Sequence, residues 1–297
     1  MRRIPSLVAL AAAAGLATYW VVTMPRSLPD DALAGLEADV SRGEAVFWAG
    51  GCASCHAALD AKDDGKFLLA GGQTFASPFG TFVAPNISPD PENGIGGWTA
   101  LDLANAMTKG VSPEGQHYFP AFPYTSYQKA ELQDIVDLHA FLMTLPPVAT
   151  PSQPHQVGFP YNIRRNLGGW KTLFLDGSWV VDGELTEQEA RGRYLAEGLG
   201  HCGECHTPRN ALGVSDRSRW LGGAPIPGSE KGTFPNITPG KLDWSEADIA
   251  EYLSSGFTPE FDSAGGHMAL VVESFSHLTP EDRPAVAAYL KKVPAVE

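Results

Sequence analysis

Two pentapeptides hold all four cysteines of the chain, "CASCH" (Cys52, Cys55, His56) and "CGECH" (Cys202, Cys205, His206). Thiols three residues apart can add to the two vinyl groups on one edge of a haem. The histidine that follows then brings its imidazole to the iron. C-x-x-C-H is for this reason an attachment signal for c-type haem. A pair of disulfides would not need the following histidine. A zinc site of four cysteines would join the pairs across 150 residues and leave His56 and His206 unused. The expectation is two covalently bound haem c groups, with His56 and His206 as axial ligands.

The spacing of the motifs suggests a duplication, and further echoes keep the same order. "RGEAVFWAGGCASCH" resembles "RGRYLAEGLGHCGECH", and "LLAGG" resembles "RWLGG". "APNISPD" matches "FPNITPG" at an offset of 150, "GWTALDLANAMTKGVSPE" matches "DWSEADIAEYLSSGFTPE" at 146, and "DLHAFLMTLPPV" matches "AVAAYLKKVPAV" at 148. Each copy reads as helical: a helix before the cysteines (about 36–49 and 186–199), a second from Thr99 or Ser245, and a third at about 131–144 or 280–291. Thr99 and Ser245 each have an aspartate three residues on, Asp102 and Asp248, close to a capping box. Thr279 and Pro280 suit the start of the last helix. Short helices around a haem need little sheet, so an all-α chain is expected. Its parts are a segment over 1–28, haem domains over 36–148 and 184–297, and a linker over 149–183. The linker is Pro-rich at first and then aromatic (Phe159, Tyr161, Trp170, Phe174), which suits packing across the domains or against a partner.

A low-spin haem carrier needs a second axial ligand, commonly Met or His. Of the five methionines only Met268, in "GGHMALVV", falls between the second and third expected helices of a copy. The local offset of 146 carries Met268 onto Phe122, in "YFPAFPY", and a phenyl ring cannot bind iron. His117, five residues upstream, is the leading substitute for the first haem. The alternatives are another side chain, or no ligand, with His117 an ordinary loop histidine.

The chain has 297 residues and a net charge of −13, which argues against nucleic-acid binding and for docking on a basic partner surface. Arg2 and Arg3 precede an apolar run with no charge until Arg26, long enough to span a bilayer as a helix. An uncleaved transmembrane anchor is expected, with a cleaved signal ending near residues 32–34 as its rival; both export the rest. No dinucleotide fingerprint or nucleophile elbow points to an organic-substrate site.

"GLGHCGECHTPRN", "PNITP", "GFTPEFD", "GGHM", "YFPAFPYTSY" and "GIGGWT" resemble the cytochrome c subunits of bacterial membrane-bound alcohol, gluconate and related dehydrogenases. The resemblance covers nearly the whole chain after the apolar run. It implies tandem class I cytochrome c folds, a periplasmic location at the inner membrane, and electron transfer. The implied partners are a periplasmic or membrane-bound dehydrogenase and an acceptor: an oxidase, a soluble cytochrome or a quinone pathway. Carried over by position, Cys52, Cys55, His56, Cys202, Cys205, His206 and Met268 match haem-binding residues. Many such relatives carry three haem motifs where this chain has two, and alcohol-dehydrogenase-type relatives have Met in the slot of Phe122. The rival function is a haem enzyme, of peroxidase or sulfur-compound oxidase type, working at the first haem.

Overall fold

The structure, a computed structural model, describes residues 3–297, with side chains from residue 7 onward. The first half is built from α2 (Val40–Ala49), α3 (Cys52–His56), a hairpin of β1 (Thr74–Ser77) and β2 (Gly80–Val83), α4 (Ala100–Lys109), the single turn α5 (Tyr124–Tyr127) and α6 (Leu132–Leu142), preceded by α1 (Arg3–Val22). A connector carries β3 (Gln156–Val157) and α7 (Asn166–Phe174). The second half holds α8 (Glu187–Arg193), which runs into a π-helical turn (Tyr194–Leu199), then α9 (Gly203–His206), β4 (Ala224–Pro225), β5 (Thr233–Phe234), α10 (Glu246–Ser255), α11 (His267–Ser276) and α12 (Asp282–Lys292).

The expected helices form where their ends are marked. Thr99 accepts from Asp102 N while Asp102 accepts from Thr99 N (3.2 and 2.8 Å), and Ser245 and Asp248 repeat the exchange (3.1 and 3.0 Å). Each pair satisfies two orphan donors of a helix start. The last helix begins later than Thr279 and Pro280 suggest: Glu281 is its N-cap and Asp282 its first residue.

In each half the helix before the motif crosses the last helix at close range. A Cβ on Gly43 would stand 2.0 Å from the Asp137 carbonyl oxygen, and one on Gly192 would stand 1.9 Å from that of Ala285. Arg42 with Asp137 and Arg191 with Asp282, both 2.7 Å, brace the two crossings. Buried side chains of both halves, Phe47, Trp48, Ile135, Leu195, Phe275 and Tyr289 among them, belong to one continuous apolar core.

Two expectations are overturned. The chain is not all-α: β1 and β2 pair antiparallel, with Thr74 opposite Val83 and Ser77 opposite Gly80, and β3 of the connector adds to β2. A second small antiparallel pair joins β4 to β5. Thr, Phe and Val suit a pleated surface, and Ser77 closes the hairpin by donating to Gly80 O at 2.7 Å. The expected N-terminal transmembrane anchor is not supported either: among the described residues no helix is long and apolar enough to cross a membrane. Side chains 1–6 of that segment lie outside the described residues, and the described run, 7–22, is rich in Ala, a weakly apolar residue.

The foot of α1 is fastened to the connector. Tyr19 donates to Asn166 Oδ1 (2.8 Å), Arg165 donates to the Trp20 carbonyl (2.6 Å), and the Arg165 guanidinium lies 4.0 Å from the Trp20 ring centroid. At the other end of α7, Trp170 Nε1 donates to Leu212 O of the second half (2.9 Å). The connector therefore packs across both halves.

Candidate functional site

Each motif begins where the chain turns through a left-handed residue, Gly51 (φ 61°) before Cys52 and His201 (φ 41°) before Cys202. The turn then enters a short helix, and residues i and i+3 share one face, so the two thiols of a motif are presented together. All four cysteines are free. Burial pushes the Cys52 and Cys202 thiols up to about 12 and those of Cys55 and Cys205 to about 11, so they stay protonated. No group of three or more His, Cys, Asp and Glu gathers for a metal ion among the described residues.

The axial histidines are held in matching ways. Nδ1 of His56 lies 2.8 Å from Pro85 O, and Nδ1 of His206 lies 2.8 Å from Pro235 O. A carbonyl can only accept, so each Nδ1 carries the proton. Burial pulls both imidazoles below their ordinary pKa, the proline carbonyls opposing this in part, so the rings are neutral. A neutral ring with Nδ1 donating keeps the Nε2 lone pair for iron, and the hydrogen bond fixes the ring's orientation.

The proline carbonyls are themselves anchored. Asn86 Nδ2 donates to Val148 O (2.6 Å) and Asn236 Nδ2 to Val296 O (2.7 Å), while their Oδ1 atoms accept from Ser88 N and Thr238 N. Gly71 N donates to His56 O (2.8 Å) and Gly223 N to His206 O (2.7 Å). Both glycines have positive φ, 73° and 84°, and a Cβ on Gly71 would lie 2.4 Å from Pro85 O. The "PNI" echo in the sequence is thus the support of the motif histidine. It was visible as a repeat, but nothing in it announced which atom meets the histidine. The structure also pairs Gly71 with Gly223, one residue out of step with "LLAGG" set over "RWLGG".

The other faces differ. Met268 stands in the first turn of α11, half-buried against the core, where the sequence suggested a loop. Phe122 is half-buried in a loop closed by α5, edge-on to Tyr118 (5.7 Å) and Tyr127 (5.8 Å between centroids). His117 is buried and its two nitrogens are engaged: Nε2 donates to Thr23 O (3.0 Å) and Nδ1 accepts from Lys171 Nζ (3.2 Å). Lys171 also donates to the carbonyls of Lys109 and Gly110, and burial pulls its pKa down to about 7. His117 therefore fastens the connector to the first half.

The motifs meet across the interface between halves. Cys55 lies close enough to Cys205 for one thiol to raise the pKa of the other. Glu204, inside the second motif, accepts from Thr125 (2.7 Å) and Ser126 (3.1 Å) of α5 and pairs with Arg209. Burial opposes the Glu204 charge, but Arg209 and these hydroxyls hold its pKa below the usual carboxylate value. From α11, Glu273 pairs with buried Lys66 (2.7 Å), and His277 stacks on Trp48 at 3.8 Å.

Paired thiols beside an oriented imidazole, twice over, are the donor set that a c-type haem would need. Residues 40–146 match the family model described as Cytochrome c. The chain is 60% identical over 292 residues to a protein named diheme cytochrome c-type from Cereibacter sphaeroides, covering 98% of this chain and 97% of that one. It is 38% identical over 263 residues to the fructose dehydrogenase cytochrome subunit of Gluconobacter japonicus, covering 86% of this chain and 53% of that one. It is also 38% identical over 271 residues to the cytochrome c subunit of the quinone alcohol dehydrogenase of Gluconobacter oxydans, covering 88% and 56%. The chain thus spans about half the length of these two dehydrogenase subunits. It belongs to the c-type cytochromes, and is an electron-transfer protein.

Proposed function

We propose that the chain carries two covalently bound haem c groups and passes electrons from a dehydrogenase toward the respiratory chain, in the bacterial periplasm. The haem units are residues 36–148 and 184–297, joined by 149–183. Cys52, Cys55 and His56 hold the first haem, and Cys202, Cys205 and His206 the second. The observation that carries this reading is the paired support of the axial rings, His56 on Pro85 and His206 on Pro235, both at 2.8 Å. When bound, each haem supplies a one-electron couple; the chain supplies attachment, orientation of the imidazole and a covered edge. Met268 would complete the second haem site, with its thioether as the donor opposite the histidine. The first iron takes no ligand from the Phe122 loop, because the offset slot holds a phenyl ring and the nitrogens of His117 are bonded elsewhere.

The dehydrogenase partner rests on the names of the relatives and the periplasm on the motif resemblance. An acidic surface suits a basic docking face. The test is anaerobic mixing of the oxidised holoprotein with the purified membrane dehydrogenase of the same cell and its substrate. The expected result is reduction of both haems, seen in the α-band. A protein that carries two haems yet accepts no electrons from that dehydrogenase would contradict the partner. Turnover of peroxide or a sulfur compound at the first haem would favour the haem-enzyme reading instead.

A further inference from the structure

A series of rings joins the Phe122 loop to the second motif. Phe122 meets Tyr127 edge-on (centroids 5.8 Å apart, planes at 61°), and Tyr127 meets His201 in the same way (5.5 Å, 66°). The series starts in the loop that the repeat sets over the first haem and ends on the residue before Cys202. Tyr127 is buried, and its hydroxyl donates to Gly50 O at 2.9 Å, two residues before Cys52. Glu204 holds α5, and with it Tyr127, through Thr125 and Ser126.

His201 is the informative member. It sits in the left-handed region at φ 41°, where the first half uses Gly51 at φ 61°. A β-carbon in that conformation is strained, which glycine avoids. Glycine would make the turn more easily, yet the second half keeps an imidazole, packed on the ring that reaches the first motif.

We propose that Phe122, Tyr127 and His201 form the contact through which electrons cross between the two haem sites, with Tyr127 and His201 as positioning residues. This rests on the two-haem reading. With both haems bound, a crossing would take one electron from a ferrous iron and give it to a ferric one. No side chain is oxidised and no proton is moved. The rings supply packed atoms along this line, and tunnelling falls off faster across a gap than through packed matter.

The test uses the holoprotein and three variants: Tyr127→Leu, Tyr127→Phe and His201→Gly. The last places in the second half the residue that already makes this turn in the first, so it keeps the turn. Haem content is read first, by mass. The oxidised protein is then given one electron by pulse radiolysis, and the rate of its redistribution between the haems is followed optically, alongside the two reduction potentials. Tyr127→Leu and His201→Gly are expected to slow the redistribution about tenfold, equivalent to ~1.4 kcal/mol on the barrier, with both potentials unchanged. Tyr127→Phe, which keeps the ring, should restore most of the rate. Unchanged rates in Tyr127→Leu and His201→Gly with both haems loaded would overturn the inference and leave the carrier function standing. Fewer than two haems on the unmodified protein would overturn the two-haem reading, and this inference with it.

Discussion

The two halves agree on one side of the haem motif and diverge on the other. On the histidine side, the proline carbonyl, the asparagine that anchors it, the valine carbonyl beyond and the glycine on the histidine backbone recur with hydrogen bonds alike to within about 0.1 Å. Where the repeat sets Phe122 against Met268, the first half has a loop closed by α5 and the second half has α11. Duplicated chains keep what fixes the axial ligand, because an imidazole that turns cannot bind well. They are free to alter what covers the second face, where potential and ligand access are tuned.

A second difference lies in the approach to the motif. From Arg42 to Cys52 is one residue shorter than from Arg191 to Cys202. The π-helical turn at Tyr194–Leu199 absorbs the extra residue, as such turns do. It also buries Glu197, which accepts from Val180 N (2.6 Å), Val181 N (3.0 Å) and Tyr289 (2.7 Å). A carboxylate in the core is tolerated here because its oxygens are occupied.

The largest expected effect separates the halves outright. Cys52→Ala with Cys55→Ala should remove one covalent haem, and Cys202→Ala with Cys205→Ala the other, each seen as the loss of one haem mass from the intact protein. Loss of both from either variant would show that the halves do not load independently. Next comes Glu197→Ala, which orphans two backbone donors and the Tyr289 hydroxyl. At ~1–3 kcal/mol for an unsatisfied buried group, the urea midpoint should fall markedly.

Gly43→Ala and Gly192→Ala probe what the halves share. Each new Cβ meets a backbone oxygen, which cannot swing aside, so each should cost ~1–3 kcal/mol. Calorimetry should give similar losses, and a large inequality would break the equivalence of the two helix crossings. The smallest effect is acid sensitivity. Burial pushes the Asp137 carboxyl up, but Arg42, Asp39 N and Gln133 outweigh this and hold its pKa below the ordinary value. A depressed pKa gives stability that is full above the unfolded value, ~3.9, and is lost as pH falls through the folded one. Asp137→Asn should flatten the decline in urea midpoint below about pH 4; an unchanged slope would assign that decline to other carboxylates.

The motifs, the helices and their capping boxes were legible because each has a local signal: a fixed spacing, an apolar period, or an oxygen three residues before a carboxylate. The strands were not, because β1 and β2 are four residues each and β3 to β5 only two, too short for alternation to show. The N-terminal apolar run was legible as a helix but not as a span. The engagement of His117 could not be foreseen, since Thr23 and Lys171 are remote in sequence and meet it only through the packing of α1 and α7. The ring series through Phe122 was equally hidden, because its last member belongs to the other half.

The account stands or falls on whether the two irons differ on the face opposite the histidine. The direct measurement is electron paramagnetic resonance of the oxidised holoprotein beside Met268→Leu and His117→Ala. Two distinct ferric signals are expected; Met268→Leu should change only one of them, His117→Ala neither, and cyanide should first bind the iron that is indifferent to Met268. Two identical low-spin signals, or a signal lost in His117→Ala, would contradict it.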